Sequence, residues 1–305
     1  MTKSNMRDKI EEVGIHFSKR RSNRDKLRFM NRLASRLKAA GRALQMIEAG
    51  DRHVQSHHLV CGDLKKSRIV FLAAYDTGSR MLNPGYRYTP LDSRRNLREE
   101  MKNIAGYSVM TLAAAAAAVL LTRALWGGTA LMQALAAAVD AAVLLLVFRW
   151  MKKPDNKMNM NRNSGGTAVL YACAEDTPRG CFVFVDNGVM SNQGFYETAE
   201  HLENREVVVL DSIAGTGTLF LACREEQVKR AEEMASAFDC EIRVLPLGEE
   251  QYKNTPLEGF PNGYMLTAGE ERDGTVYVRH ARRPSDMDLN VERMEKIRDG
   301  ILKLI

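Results

Sequence analysis

The sequence predicts an α/β fold, a mostly parallel mixed sheet flanked by helices and interrupted by a two-helix transmembrane hairpin. Three observations carry this expectation. Short apolar runs at 69–75, 181–186, 207–211, 218–223 and 264–267 are bounded by turn residues and separated in part by helical stretches such as 191–204 and 225–238. Residues 104–148 contain only two charged side chains, Arg123 and Asp140, in 45 positions. The chain as a whole, by contrast, has an ordinary soluble composition of 305 residues, 45% hydrophobic and 27% charged, with a mean hydropathy of −0.30. Those averages exclude disorder, collagen-like repeats and a many-span transporter.

Residues 1–50 hold 13 Lys/Arg against 5 Asp/Glu, a local excess of +8, whereas the whole chain carries +6. The opening segment lacks the apolar stretch of a secretory signal. Ser22-x-x-Asp25 marks a helix start, Leu27, Met30, Leu33 and Leu37 supply its apolar stripe, and Gly41 closes it. The basic run from Lys19 to Arg28 admits three readings: apposition to anionic lipid, where each basic residue contributes about 1 kcal/mol, nucleic-acid contact, or a solvated helix face. Phe17 and Phe29 are too few aromatics for a nucleic-acid module, so no nucleic-acid partner is expected. The amphipathic stretch 291–305 is expected to cover one sheet face. Five scattered cysteines without a C-x-x-C pair argue for a reduced, cytosol-facing chain and against a disulfide framework or a cysteine zinc site.

Within 104–148, segments of 19 and 20 uncharged residues flank a turn that includes Gly127 and Gly128, and about 20 helical residues span a hydrocarbon core. The alternative is a buried, alanine-rich hairpin in a soluble core. Arg94, Arg95, Arg98 and Lys102 precede the first span, and Arg149, Lys152, Lys153 and Lys157 follow the second. Positive-inside bias therefore puts both ends in the cytoplasm, a multi-pass protein of the cell membrane, with Trp126 and Trp150 at interfaces. Asp140 would cost about 2.5–3.5 kcal/mol unpaired in the span. Folding the hairpin about its turn suggests Thr111 as its hydrogen-bond partner, with alanines at 113–118 and 136–138 allowing close helix approach. The expected organisation is a discontinuous α/β domain, 1–95 and 155–305, with 96–154 inserted and spans at about 104–122 and 129–148.

Functional groups of an open α/β sheet collect at the carboxyl ends of its strands. Three ends are polar here: AAYDTG (73–78), FVFVDNG (182–188) and VVVLDS (207–212). With the segments NMNRNSGGTAVLYACAE, NTPLEGFPNGYMLTAG and RHARRPSDMDLNVERMEKI, they form an ordered series that resembles the co-catalytic zinc aminopeptidase family. That group includes secreted bacterial aminopeptidases, glutamate carboxypeptidase and the non-catalytic domain of transferrin receptor. A membrane hairpin between the first and second motifs is similar to a bacterial subgroup of the family. The resemblance implies a zinc-exopeptidase-like fold.

It does not imply the chemistry. Two zinc ions need a bridging carboxylate, His and carboxylate ligands, and a Glu base for the metal-bound water. By the resemblance, the first His ligand falls on Ala74, the bridging Asp on Arg162, the Glu base on Gly188, the adjacent Glu ligand on Val189 and the final His on Asn254. Asp211 alone is retained among the ligands, with Asp76 as the carboxylate that supports the first His. The expectation is an inactive, membrane-anchored aminopeptidase-like protein without zinc, binding a peptide or protein through a cleft that includes Arg162, Asn163, Asp186 and Asn187. The alternative is a metallo-hydrolase with a rearranged zinc site.

The remaining polar features have plain and functional readings side by side. His53, His57 and His58 read as surface or strand-edge histidines rather than a rebuilt metal site, and His280 as structural. Gly215–Thr218 reads as a tight turn rather than a phosphate loop, since it lacks the Lys-Ser/Thr ending. Asn163-Ser164-Gly165-Gly166 reads as a helix cap, or with Arg162 as an anion site. Asp186-Asn187 reads as a capping or turn feature.

Overall fold

A computed structural model of the chain describes residues 4–50, 55–151, 154–189, 192–202, 204–279 and 281–305. They divide into two compact units, Met1–Gly78 with Arg87–Leu97 and Asn156–Ile305, and Ser79–Tyr86 with Arg98–Asp155.

The first unit opens with α1 (Met6–Ile10), a wide π-helical turn (Glu11–His16) and α2 (Asn23–Ala39). Ser22 caps α2 as the sequence predicts, accepting the Asp25 amide at 3.2 Å, and Gly41 closes it with φ +75°. One correction concerns the apolar stripe. Leu27 is exposed, and Phe29 takes its place beside Met30, Leu33 and Leu37.

The strands are β1 (Leu44–Gly50), β2 (Gln55–Cys61), β3 (Ile69–Ala74), β4 (Cys181–Val185), β5 (Glu206–Asp211), β6 (Thr218–Arg224), β7 (Ile242–Leu247), β8 (Gly263–Arg272) and β9 (Thr275–Tyr277). They form one mixed sheet in the order β1-β2-β4-β3-β5-β8-β6-β7, with β9 on β8. Strands β4, β3, β5 and β8 run parallel, and β6 with β7 pairs parallel as well. The central strands are apolar on both faces because both are covered. Phe71, Phe182, Phe184, Val208 and Leu210 enter one core with α2 and with α5 (Gly166–Asp176). Val70, Leu72, Val183, Val207 and Val209 enter the other, with Phe195 of α6 (Gln193–Ala199) and Tyr252 of α8 (Glu249–Lys253). Burying each such side chain contributes about 1.5–3 kcal/mol. The remaining helices are α7 (Val228–Ala235) and α9 (Val291–Leu304), which covers the first core through Met294, Ile297 and Ile301.

The long helices of the insert are α3 (Ser93–Leu125), whose first five residues belong to the first unit, and α4 (Ala130–Met151). Both are long and apolar enough to cross a membrane, and only 11% and 6% of their most apolar windows are buried. The buried-hairpin alternative does not describe helices that expose Leu112, Leu120, Leu131, Leu145 and Phe148. Asp140 does find a threonine, but it is Thr122, whose hydroxyl lies 2.8 and 2.7 Å from the two carboxyl oxygens. Thr111 donates instead to the Tyr107 carbonyl at 2.8 Å. Thr122 lies three residues before the end of α3 and Asp140 ten after the start of α4, so the helices do not meet at equal distances from the turn. Ala118 and Ala136, one turn before each partner, are the buried small residues that permit the approach.

Candidate functional site

Parallel pairing in the order β4-β3-β5 brings three carboxyl ends to one edge of the sheet. Ala74 ends β3 and Asp76 follows it, Gly188 and Val189 follow β4, and Asp211 ends β5. Gly188 is packed against Ala74 and Phe195 without room for a side chain. A Cβ on Gly188 would lie 2.6 Å from the Ala74 Cβ and 3.0 Å from Phe195. Asp76 is buried and accepts the Gly188 and Val189 amides at 3.0 and 3.3 Å. Burial raises its pKa to about 6, with Asp186 adding to the rise and Lys26 opposing it.

Arg162 is buried, and its guanidinium sits 3.7 Å from the Tyr88 ring centroid while Nη2 donates to the Val189 carbonyl at 2.8 Å. Tyr88 in turn donates to Asp211 Oδ2 at 2.6 Å, and Ser212 donates to Asp211 Oδ1 at 2.6 Å. Burial pushes the Asp211 pKa up, and the Arg162 charge and the two hydroxyls hold it down. One cation and two hydroxyl donors thus compensate the Asp211 carboxylate.

A zinc pair does not fit this donor set. Ala74, Gly188 and Val189 offer no ligand side chain, Arg162 brings a positive charge, and among the described residues no three His, Cys, Asp or Glu gather in metal-binding geometry.

A second buried cluster involves residues that the sequence reading assigned to the surface. Arg20 is wholly buried. It donates to the Tyr75 and Phe17 carbonyls, to the Val13 carbonyl at 2.5 Å and to Ser164 Oγ at 2.9 Å. Burial lowers its pKa to about 10 against the pull of Asp76. Lys26 lies 2.6 Å from Asp186 Oδ1 and donates to Asn187 Oδ1 at 2.5 Å. The basic run is therefore partly internal rather than a uniformly solvated or membrane-facing block.

His58 is also buried, not superficial. Its Nδ1 accepts the Asp186 amide at 3.1 Å, so Nε2 carries the proton toward Glu197 Oε2, 3.1 Å away. Burial lowers the His58 pKa, opposed by Glu197. His57 stands on the same strand, half-buried, with its amide donating to Asp186 at 3.2 Å. His53 and His280 lie outside the described residues.

Of the four residues expected to form a cleft, Arg162 lines a cavity of about 230 Å³. Asp186 and Asn187 belong to the Lys26 cluster, and Asn163 is buried in a wide helical turn (Met160–Gly165) that runs straight into α5. That continuity replaces the expected cap. The same cavity reaches Val189 and Asn254. Asn254 satisfies the start of α3, its carbonyl accepting the Ser93 amide at 2.8 Å and its Oδ1 the Arg94 amide at 2.9 Å. A second cavity, also about 230 Å³, is walled by Gly215, Thr216 and Gly217 and reaches Asp286. The glycine run lies between β5 and β6 as a connection, as the tight-turn reading expects. Burial raises the Asp286 pKa to about 8, against amides of Asn161 and Arg282 and the charges of Arg162 and Arg282.

No protein-family model and no curated protein matches the sequence. Solved structures do resemble the fold. A Zn-dependent exopeptidase from Parabacteroides distasonis superposes with a TM-score of 0.60 at 13% identity, covering 99% of this chain and 98% of its own. A glutaminyl cyclase from Bacteroides thetaiotaomicron gives 0.61 at 10% identity, covering 100% and 98%. A leucine aminopeptidase precursor from the same organism gives 0.59 at 10% identity, covering 100% and 97%. The fold is zinc-exopeptidase-like.

Proposed function

We propose that this chain is a membrane-anchored, cytoplasm-facing peptidase-like protein that does not hydrolyse peptides and instead binds a peptide or protein. The observation that carries the reading is Arg162. At the position that the resemblance assigns to the bridging carboxylate stands a buried guanidinium, placed between the Tyr88 ring and the Val189 carbonyl. Metal-assisted hydrolysis needs a carboxylate-rich pocket and a general base. The base position is Gly188, whose surroundings leave no space for a side chain. The resemblance to exopeptidase folds supports a peptide as the occupant, and the exposed apolar helices α3 and α4 support a hairpin anchor with its basic flanks in the cytoplasm.

The test is metal analysis and turnover on one preparation. Full-length protein purified in detergent is expected to contain far less than one zinc per chain and to leave aminoacyl anilides intact. Stoichiometric zinc together with turnover abolished by Asp211→Ala would overturn the reading in favour of a rearranged hydrolase.

A further inference from the structure

We propose that residues 79–86 form a third membrane-contacting element beside the two spans, in which Leu82 enters the apolar boundary and Arg80 meets the headgroups of anionic phospholipids. The proposal deepens the membrane-anchor part of the reading above and rests on it. Every residue it uses lies within the second unit, which joins Ser79–Tyr86 to Arg98–Asp155.

The loop is held against the insert at two places. Its base is tied to the chain that leaves α4, since Ser79 bridges Asp155 and the Arg80 amide donates to the Pro154 carbonyl at 2.8 Å. Its middle is tied to α3. Asn103 accepts the Leu82 amide at 2.8 Å and donates to the Arg80 carbonyl at 3.1 Å, and the Tyr107 hydroxyl donates to the same carbonyl at 3.3 Å. Both α3 side chains are buried. Gly106 admits the loop, because a Cβ there would stand 2.9 Å from Leu82 Cδ1. The tip closes on itself, with Asn83 Oδ1 accepting the Gly85 amide at 2.8 Å.

These contacts fix the depth of the loop along α3. The uncharged run of the first span starts at Ile104. Gly106, against which Leu82 packs, lies two residues further, about 3 Å along the helix axis. Leu82 is 37% exposed and therefore faces the edge of the hydrocarbon layer. Irregular backbone persists near that layer only where protein groups satisfy its polar atoms. Asn103 and Tyr107 do so for Arg80 and Leu82.

Charge identifies the lipid. Arg80 leaves the loop beside Asn103, Arg98 lies one helical turn before Lys102, and Arg149 directly follows the second apolar run. All three arginines are exposed and have no carboxylate partner among the described residues, whereas Lys102 pairs with Glu99 at 2.7 Å. A basic residue close to an anionic bilayer strengthens association about fivefold. Arginine also matches phosphate with two parallel donors.

The experiment reads tryptophan quenching by brominated lipids in full-length protein reconstituted in nanodiscs. Native Trp126 and Trp150 report the anchor. Leu82→Trp and Pro84→Trp, each in the Trp126→Phe/Trp150→Phe background, report the loop. Both positions are exposed, and an unchanged melting temperature checks folding. Phosphatidylcholine brominated at the headgroup end of its acyl chains is expected to quench the loop tryptophans at least half as strongly as Trp150. Brominated phosphatidylglycerol should be preferred at position 82 by about fivefold or more. That preference should be lost in Arg80→Gln/Arg98→Gln and kept in Arg80→Lys/Arg98→Lys. Quenching of Trp126 and Trp150 with none at positions 82 and 84 overturns the proposal and leaves the anchor standing. Quenching at none of the four positions overturns both. Equal quenching at position 82 by the two headgroups overturns the selection of anionic lipid.

Discussion

A Cβ atom built on Gly188 would stand 2.6 Å from the Cβ of Ala74. The ends of β3 and β4 therefore touch at the two positions that the resemblance to zinc aminopeptidases assigns to a His ligand and a Glu base. Restoring those side chains in pairs, Ala74→His with Gly188→Glu, is expected not to restore zinc binding. Overpacking of this kind costs about 1–3 kcal/mol, and a charged carboxylate added to a space already holding Asp76 raises that further. The double variant should melt below the wild type and bind no zinc by equilibrium dialysis. A stable variant with bound zinc would show that the pocket opens easily.

Arg162 supplies the positive charge that acts on the buried Asp211 carboxyl, and removing it leaves the Tyr88 and Ser212 hydroxyls as its hydrogen-bond partners. Arg162→Met is expected to destabilise the protein by about 3 kcal/mol, the low end for an orphaned buried charge, because Tyr88 and Ser212 still donate. Adding Asp211→Asn should recover part of the loss, since a neutral amide no longer needs the cation. Melting temperatures of the four proteins in one double-mutant cycle give the coupling. Zero coupling would mean that Arg162 acts through other contacts, such as the Tyr88 ring and the Val189 carbonyl, and not through the Asp211 charge.

Asp286 titrates in a range that solution experiments reach. Burial raises its pKa from the ordinary 3.8 to about 8, so between these values the folded protein holds a proton that the unfolded chain has released. Stability from this group is full below pH 4 and is lost as pH rises through 8. Asp76, raised to about 6, acts with the same sign over the lower part of the window. Asp286→Asn mimics the protonated form and should flatten the fall in melting temperature between pH 5 and pH 8.5. A variant with the same slope as wild type would assign the pH dependence elsewhere.

The central strands were legible in the sequence because burial on both faces leaves their middles apolar, and runs such as those of β3 and β5 can be little else. The outer strands β1 and β2 were not. β1 buries only Ile47, and β2 carries Gln55, His57 and His58, so neither shows a continuous apolar run. Among site residues, Asp76 and Asp211 were visible as acids at strand ends. Arg20 and Lys26 were not, because a basic residue within a basic run reads as solvated. Their partners Tyr75, Ser164 and Asp186 lie far along the chain, and only the folded sheet brings them near. The single local signal was position: on α2, Lys26 shares the buried face with Phe29, Met30 and Leu33.

That placement makes Lys26 an internal counter-charge rather than a surface one. Asp186 is fully buried, and Lys26 sits 2.6 Å from its Oδ1. Lys26→Met keeps the aliphatic stem and removes the charge, so it should cost about 3–5 kcal/mol. The neighbouring exposed Arg24→Met should cost nothing measurable. Chemical denaturation in detergent compares the two. Equal, small effects would return the whole basic run to the solvated reading.

In the insert, the Thr122 hydroxyl meets both carboxyl oxygens of Asp140. A polar contact between apolar helices is worth roughly 0.6–2 kcal/mol, limited because the separated helices find other partners for the same groups. Thr122→Val should therefore weaken the helix pair by that amount, while Thr111→Val should not, since the Thr111 hydroxyl serves only the Tyr107 carbonyl of its own helix. Asp140→Asn keeps an acceptor for the threonine and should fall between them. Unfolding of the full-length protein by sodium dodecyl sulfate, followed by the fluorescence of Trp126 and Trp150, ranks the three variants. The order Thr122→Val, then Asp140→Asn, then Thr111→Val in falling severity supports the pair, and a Thr111→Val effect as large as that of Thr122→Val contradicts it.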